Sequence, residues 1–306
     1  MSTQEEAVVP KAPAERPPAT GIVLAAVGTL YMAALLWSAR ATITGRVDAE
    51  SEVTSAAYAL PGAISASLVA GAAVALTALA LAGRRRTLGP TARFAVAIGA
   101  GLTLGLLGAL SVITINTEGW VYAVLGGTVA AAATIGGALA GVRAPRVVAA
   151  GCWAAIAVFA VGFVLSLAVV QNPARDLLGG GDSQAAQSSA ANWYSLLQAV
   201  LSGVAAGVVA YTALRRASRR DAGTAPPWPM YALAGAAPGL VLVLAELLTR
   251  TAGARVVDLA GRVSELELTV QQMLSGSRLN GGLIILFVGA VTAIIAVGRT
   301  LQPPAR

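Results

Sequence analysis

Residues 94–115 read FAVAIGAGLTLGLLGALSVITI, an unbroken run without a charged side chain. A bilayer core is about 30 Å thick, and a helix needs roughly 20 apolar residues to cross it. Helices suit this role because each backbone polar group is satisfied within the segment itself. The stretch therefore predicts a membrane-spanning helix. Seven more runs meet the same criterion, so that we predict eight spans, at residues 20–39, 60–82, 94–115, 120–142, 147–170, 196–214, 230–248 and 281–298.

The composition of the whole chain supports this interpretation. The 306 residues are 57% hydrophobic and 11% charged, and the mean hydropathy is +0.74, far from the usual balance of a soluble globular protein. The predicted fold is an all-α, polytopic bundle of eight transmembrane helices, occupying residues 20–298. Arginine supplies almost all of the basic side chains, while alanine and glycine dominate the rest. Such usage is typical of a high-GC bacterial genome, and it leads us to predict a multi-pass protein of the bacterial plasma membrane.

The distribution of arginine predicts how the chain is oriented. Short cytoplasmic loops retain basic residues, and two thirds of the Lys and Arg side chains fall in the two tails and in the second, fourth and sixth links between spans. Both termini are therefore expected to be cytoplasmic. Residues 1–19 and 299–306 form the two tails, the first of them too rich in Pro and charge to bury a core. We expect residues 40–59 and 171–195 to be loops on the opposite side. Ala39-Arg40-Ala41 has the form of a signal-peptidase site, but the apolar run before it is longer than a signal-peptide core, which favours a retained first span.

A weak internal similarity links the two halves of the chain. Spans two and three are joined by an arginine-rich turn, as are spans six and seven, and the helix after each turn is rich in Gly and Leu. This pattern is compatible with a four-plus-four duplication, as many transporters have. The same offset fails at spans four and eight, so a chance likeness between apolar helices stays open. With an offset of 138 residues, the matching pairs are Gly101 and Gly239, Leu102 and Leu240, Leu104 and Leu242, and Leu106 and Leu244.

One acidic residue lies inside a predicted span and is a candidate transport site. Glu246 is close to the outer end of span seven, with Arg250 one helical turn further on, a favourable spacing for an ion pair. Pro238 lies in the same span and removes a backbone hydrogen bond, which predicts a kink. Two interpretations remain: an interfacial ion pair with a structural role, or a protonatable or cation-binding site on a transport path.

The sequence lacks histidine and the common catalytic motifs. There is no histidine, no Walker loop and no GxSxG motif, and the single cysteine, Cys152, lies in an apolar run. We therefore predict no enzymatic activity, no catalytic residues, no cofactor and no metal. The basic charge reflects topology, so we predict no nucleic-acid partner.

Residues 254–274, ARVVDLAGRVSELELTVQQML, carry an ordered mixture of charged and apolar side chains. Alternating intervals of three and four are typical of an amphipathic helix, here of about 20 residues on the outer side. Its apolar stripe is expected to pack on the protein itself, to lie in the membrane interface, or to bind a second copy or another envelope protein. The stripe consists of Val256, Leu259, Val263, Leu266, Val270 and Met273.

Two functions follow from these features. The first is a non-enzymatic envelope protein that packs or binds a partner through the outer helix. The alternative is a permease or exporter of a small solute or lipid, with a path near Pro238 and Glu246. The sequence by itself names neither substrate nor partner.

Overall fold

The computed structural model describes residues 19–44, 49–84, 88–114, 120–142, 144–181, 183–220, 226–263 and 265–300. These residues form ten helices and no strand. Several helices begin at a proline, which is pre-organised for the first turn: Pro90 opens α3 and Pro145 opens α5. The helices are α1 Ala19–Thr44, α2 Ala49–Gly83, α3 Pro90–Ile113, α4 Trp120–Ala140, α5 Pro145–Ser166, α6 Ala168–Leu177, α7 Gln184–Arg220, α8 Trp228–Thr251, α9 Ala254–Val263 and α10 Glu265–Gly298.

Eight of these helices are long and apolar enough to cross a membrane, and they coincide with the eight predicted spans. The predicted all-α polytopic membrane protein is thereby confirmed. Helices α6 and α9, of ten residues each, are too short to cross. An even number of spans returns the chain to the side on which it began. Residues 1–18 and 301–306, most of the two predicted tails, lie outside the described residues.

Three helices are much longer than the membrane is thick. With 35, 37 and 34 residues, α2, α7 and α10 are each about 50 Å long, and all three extend on the side where α9 lies, here called the α9 side. The loops predicted at 40–59 and 171–195 are therefore wrong in large part. They are helical because their small and aromatic residues pack: Ala57 on α2 and Tyr194 on α7 are both buried. Hydropathy marks where a helix leaves the lipid, but it does not mark where the helix ends.

The eight spans form two halves, α1 to α4 and α5 to α10, that share most of their internal packing. In the first half α4 packs on α2 and α3, and α1 packs on α2. In the second half α10 packs on α7 and α8, and α5 packs on α7. The halves differ in that α5 also packs on α8, whereas α1 barely contacts α3. Span by span, the last helix of each half covers the second and third, while the first helix covers the second. Because each half has four spans, the two halves have the same orientation in the membrane.

Tight contacts at individual glycines show the same correspondence. A Cβ built on Gly137 of α4 would lie 2.5 Å from the Ala97 carbonyl oxygen of α3, and a Cβ built on Gly289 of α10 would meet the Gly235 carbonyl of α8 in the same way. Gly235 follows Ala97 by 138 residues, the predicted offset, whereas Gly289 follows Gly137 by 152. Of the 14 extra residues, seven lengthen the connection that contains α9, and the other seven form the first two turns of α10. This insertion explains why one constant offset fails at the fourth and eighth spans.

The predicted single helix over 254–274 is also corrected. The stretch is divided between α9, which ends at Val263, and the first turns of α10, which continues without interruption through Ser275 and Gly276 into the eighth span. The sequence prediction relied on heptad spacing and on Ser-Gly as an end signal. In the structure Gly276 lies inside the continuous helix α10, with nothing within 4 Å of a Cβ built on it. A single glycine weakens a helix by about 1 kcal/mol but does not by itself end it.

Candidate functional site

Glu246 is buried near the α9-side end of α8 and lies at the centre of a polar cluster. Its side chain is 2% exposed. One carboxylate oxygen, Oε1, accepts a hydrogen bond from Arg250 Nε at 3.0 Å and another from the Ser275 hydroxyl. The other, Oε2, accepts a hydrogen bond from Arg278 Nε at 2.9 Å. Both oxygens are thus engaged by charge-assisted or hydroxyl donors, as a buried carboxylate requires.

Sequence reasoning found half of this cluster. The pair of Glu246 and Arg250 was predicted from its spacing on one helix, and the structure contains it. Ser275 and Arg278 were missed because they were assigned to the link between the outer helix and the last span. They lie three residues apart on α10, a spacing that places both on one face of a helix. Had α10 been extended to Glu265, this spacing would have shown a polar face turned towards α8.

Pro238 lies deeper in the same helix and is fully buried. Helix α8 continues through it from Trp228 to Thr251. The next residue, Gly239, is in tight contact with α10: a Cβ on it would lie 2.5 Å from Leu286 Cα. The stretch that contains Pro238 is thus held against α10 by close backbone packing, about two turns from the cluster.

A cavity of about 940 Å³ lies between the two halves and reaches Glu246 and Arg278. Helices α1 and α2 of the first half form one wall, and α5, α7, α8 and α10 of the second half form the other. The wall includes an aromatic pair across the boundary between halves, Tyr31 of α1 stacked on Phe159 of α5 with ring centroids 4.7 Å apart. The volume is within the range of sites for drug-sized ligands.

Hydroxyl groups in the cavity wall are largely satisfied by their own helices. Ser65 donates to the Gly62 carbonyl at 2.9 Å, and Ser166 donates to the Phe163 carbonyl at 2.8 Å. Such bonds back to the helix are common for serine in membrane spans. The wall is therefore mainly apolar in character, and its strongest polar groups are the charged ones at the α9-side end.

The residues of the predicted outer stripe have different surroundings. Val256 is fully buried, and Leu259 packs against the same apolar core of the first half. Val270 is half-buried, whereas Leu266 and Met273 on α10 are 74% and 72% exposed. The side chain of Val263 lies outside the described residues. The stripe is not one continuous surface, because the change from α9 to α10 turns its two ends in different directions.

Helix α9 connects the halves on the α9 side. It contacts α8 and α10 of its own half, and it also packs on α2 and α4 of the first half. Gly253, just before α9, is so close to α2 that a Cβ there would collide with the Leu60 side chain. A second connection joins the Tyr58 hydroxyl of α2 to Glu267 of α10 by a hydrogen bond. These contacts cover the junction of the halves beside the charged cluster.

Chemically, the site offers a buried carboxylate held by two guanidinium groups and a hydroxyl, at one end of an apolar cavity. Comparison of the chain with protein-family models, with curated proteins and with solved structures finds no match. The functional argument therefore rests on the geometry of the site.

Proposed function

We propose that the protein is a permease or exporter, and that its substrate binds in the cavity between the two halves. The observation that carries this proposal is the cavity itself, with Glu246 and Arg278 at its end. A buried charge inside a membrane span is costly, and it is usually retained where a substrate or ion must be bound. A cavity of this size beside such a group is the default location of a binding site.

The two-half architecture supports the same proposal. Transporters are commonly built from two structural repeats, with the substrate site at the interface between them. Parallel repeats related by an axis along the membrane normal are one of the known arrangements. Here the two halves share their packing and orientation, and the cavity lies where they meet. Movement of one half relative to the other would open this cavity to either side in turn.

We further propose that the membrane is the bacterial plasma membrane and that the α9 side faces outwards. The arginine-rich connections between spans support this orientation, because basic residues are retained in cytoplasmic loops. In this orientation the charged cluster lies near the outer surface, and α9 covers the outer edge of the junction.

The experiment that tests this function fills the cavity without disturbing the fold. Gly281 lines the cavity, and a Cβ on it has no neighbour within 4 Å, so that Gly281→Leu projects a side chain into empty space. Gly276 on the same helix is equally unhindered but does not belong to the cavity wall, which makes Gly276→Leu a matched control.

Proteoliposomes are incubated in cell extract, and their contents are identified by mass spectrometry. We expect a compound that accumulates with wild type and Gly276→Leu but not with Gly281→Leu. Equal contents in all three would contradict transport through this cavity.

A second function, partner binding, is favoured by the exposed side chains of Leu266 and Met273 on the α9-side extension of α10. Large apolar side chains that protrude from an extramembrane surface often belong to an interface. Photo-crosslinking in cells from position 266, with position 258 on exposed Asp258 as the control, tests it. A protein adduct specific to position 266 would support a partner, and adducts to lipid alone would contradict one.

A further inference from the structure

We propose that the substrate is an amphipathic anion: a molecule with one acidic head group and an apolar chain no longer than one leaflet of the bilayer. The inference rests on the proposed function, since it names the substrate class of the same cavity. Three features carry it, namely the character of the cavity wall, the depth of the cavity and the sign of its charge.

The wall of the cavity matches an apolar chain. Leu35, Ile156 and Ile285 contribute aliphatic surface, and the stacked rings of Tyr31 and Phe159 add aromatic surface. Among the described residues that line the cavity, only Glu246 and Arg278 are charged. A small polar solute would have to give up its hydration to such a wall without replacement, at a cost of several kcal/mol. An alkyl chain has no polar group whose hydration would be lost on entering the cavity.

The depth of the cavity matches one leaflet. Along α1 it extends from Val27 to Ser38, and along α5 from Ile156 to Ser166. At a rise of 1.5 Å per residue these stretches are about 15–17 Å long, roughly half of the hydrocarbon core. The charged cluster lies at the α9-side end, and the other end lies near mid-membrane. An amphiphile with its head at the surface and its chain towards the centre has the same polarity along its length.

The charge of the cluster selects an anion. Both oxygens of Glu246 already accept hydrogen bonds, so the carboxylate has little left to offer a cation. The bond from Arg278 to Glu246 uses Nε, one of the five N–H donors of a guanidinium, which leaves its terminal amino groups for another acceptor. With Arg250 included, the cluster has a net charge of +1.

One further acidic residue near the cluster does not change this conclusion. Glu267 accepts hydrogen bonds from the Gln271 amide, at 3.0 Å, and from the Tyr58 hydroxyl. It does not line the cavity. A carboxylate or phosphate head entering the cavity therefore meets Arg278 first, and guanidinium groups bind both kinds of head with paired hydrogen bonds.

The inference is tested by binding, without transport. The purified full chain in nanodiscs is photolabelled with an undecanoic acid that carries a terminal diazirine, and the labelled residues are identified by mass spectrometry. Competitors of equal chain length differ only in their heads: dodecanoate, dodecyl phosphate and dodecyltrimethylammonium. Arg278→Gln removes the proposed head-group ligand, and Arg299→Gln removes an exposed charge at the far end of α10 as a matched control. Gly281→Leu, which needs no rearrangement of the fold, serves as a second test.

We expect label on the cavity wall in wild type and in Arg299→Gln. The affinity for the undecanoic acid probe should fall about ten- to a hundredfold in Arg278→Gln, as for the loss of a charged hydrogen bond. Labelling should be lost in Gly281→Leu. The two anions should displace the probe, and their relative potency distinguishes a free acid from a phosphate-bearing lipid. Displacement by the cation with equal potency, or labelling unaffected by Arg278→Gln, would overturn the inference. Either result is compatible with transport of another substrate, whereas saturable binding without any transport would overturn only the proposed function.

Discussion

The two halves of this protein share most of their helix–helix contacts but differ at one end of their last two spans. By the offsets of 138 and 152 residues, Glu246 of α8 corresponds to Gly108 of α3, and Arg278 of α10 corresponds to Gly126 of α4. In the first half these positions are packed shut: a Cβ on Gly108 would lie 3.0 Å from Val129 Cγ1, and one on Gly126 would lie 3.1 Å from the Ala109 carbonyl oxygen. In the second half the same place holds the charged cluster and the end of the cavity. The comparison teaches that the site arises where one half departs from a packing that the other half retains.

The insertion that contains α9 is the other difference between the halves. The first half joins its third and fourth spans by residues 114–119, whereas the second half uses residues 252–264. The additional helix keeps contact with α8 and α10 of its own half and also packs on the first half through Val256 and Ala260. The second half thus carries both the polar site and the element that ties the halves together beside it.

The largest effect is expected where the halves are most alike. Gly101→Ala and Gly239→Ala each introduce a Cβ within 2.5 Å of a backbone atom on the facing helix, which must move away. Each should lower the free energy of unfolding by about 3 kcal/mol or more, the upper range for overpacked cores. Thermal unfolding in detergent micelles measures it. Gly99→Ala on the exposed face of α3, with no atom within 4 Å, is the control and should be near neutral. A tolerant Gly239→Ala would contradict the equivalence of the halves.

The next effect concerns the position where the halves differ. Glu246→Ala leaves two guanidinium groups and a serine without their common acceptor, and it should cost about 1–3 kcal/mol. The double variant Glu246→Ala with Arg278→Ala removes both partners, so that neither position is charged, as at the corresponding positions of the first half. Its loss in free energy of unfolding should be smaller than the sum of the losses in the two single variants. Unfolding midpoints of the single and double variants measure this coupling. Asp258→Ala, at an exposed acid on α9, should stay within about 0.5 kcal/mol of wild type. Strict additivity would show that the cluster is not one unit.

Part of this difference was predictable from the sequence. Apolar runs predict the eight spans, since the bilayer demands about 20 apolar residues per crossing, and helical spacing predicts the pair of Glu246 and Arg250. Arg278 was not predictable as a partner, because its distance along the chain says nothing about which helix faces α8. The division of residues 254–274 between α9 and α10 was also missed, since their heptad spacing suits one long helix as well as two. The offset of 152 residues becomes visible only when contacts between helices are known.

A smaller effect is expected at the connection between the halves. Val256→Ala removes two buried carbons from the contact of α9 with the first half, a loss of about 1.5 kcal/mol at roughly 0.8 kcal/mol per carbon. Val257→Ala, at the half-buried neighbouring position, is the matched control and should cost less than half as much. Hydrogen exchange of the α9 amides complements the unfolding midpoint. Faster exchange in Val256→Ala alone supports a docked α9, whereas equal exchange in both variants would show that α9 is not held by the first half.

The smallest effect separates the two arginines of the cluster. Arg250 contacts Glu246 from the same helix, and its side chain is 47% exposed, whereas Arg278 comes from α10, is 30% exposed and lines the cavity. Arg250→Gln should therefore cost about 0.2–1 kcal/mol in stability, as for an exposed pair one turn apart, and should leave labelling by the undecanoic acid probe nearly unchanged. Arg278→Gln removes the same charge as Arg250→Gln, but it should weaken the labelling because Arg278 lines the cavity. If both variants weakened labelling equally, the acidic head group would be bound by the summed electrostatic field of the cluster and not by direct contact with Arg278.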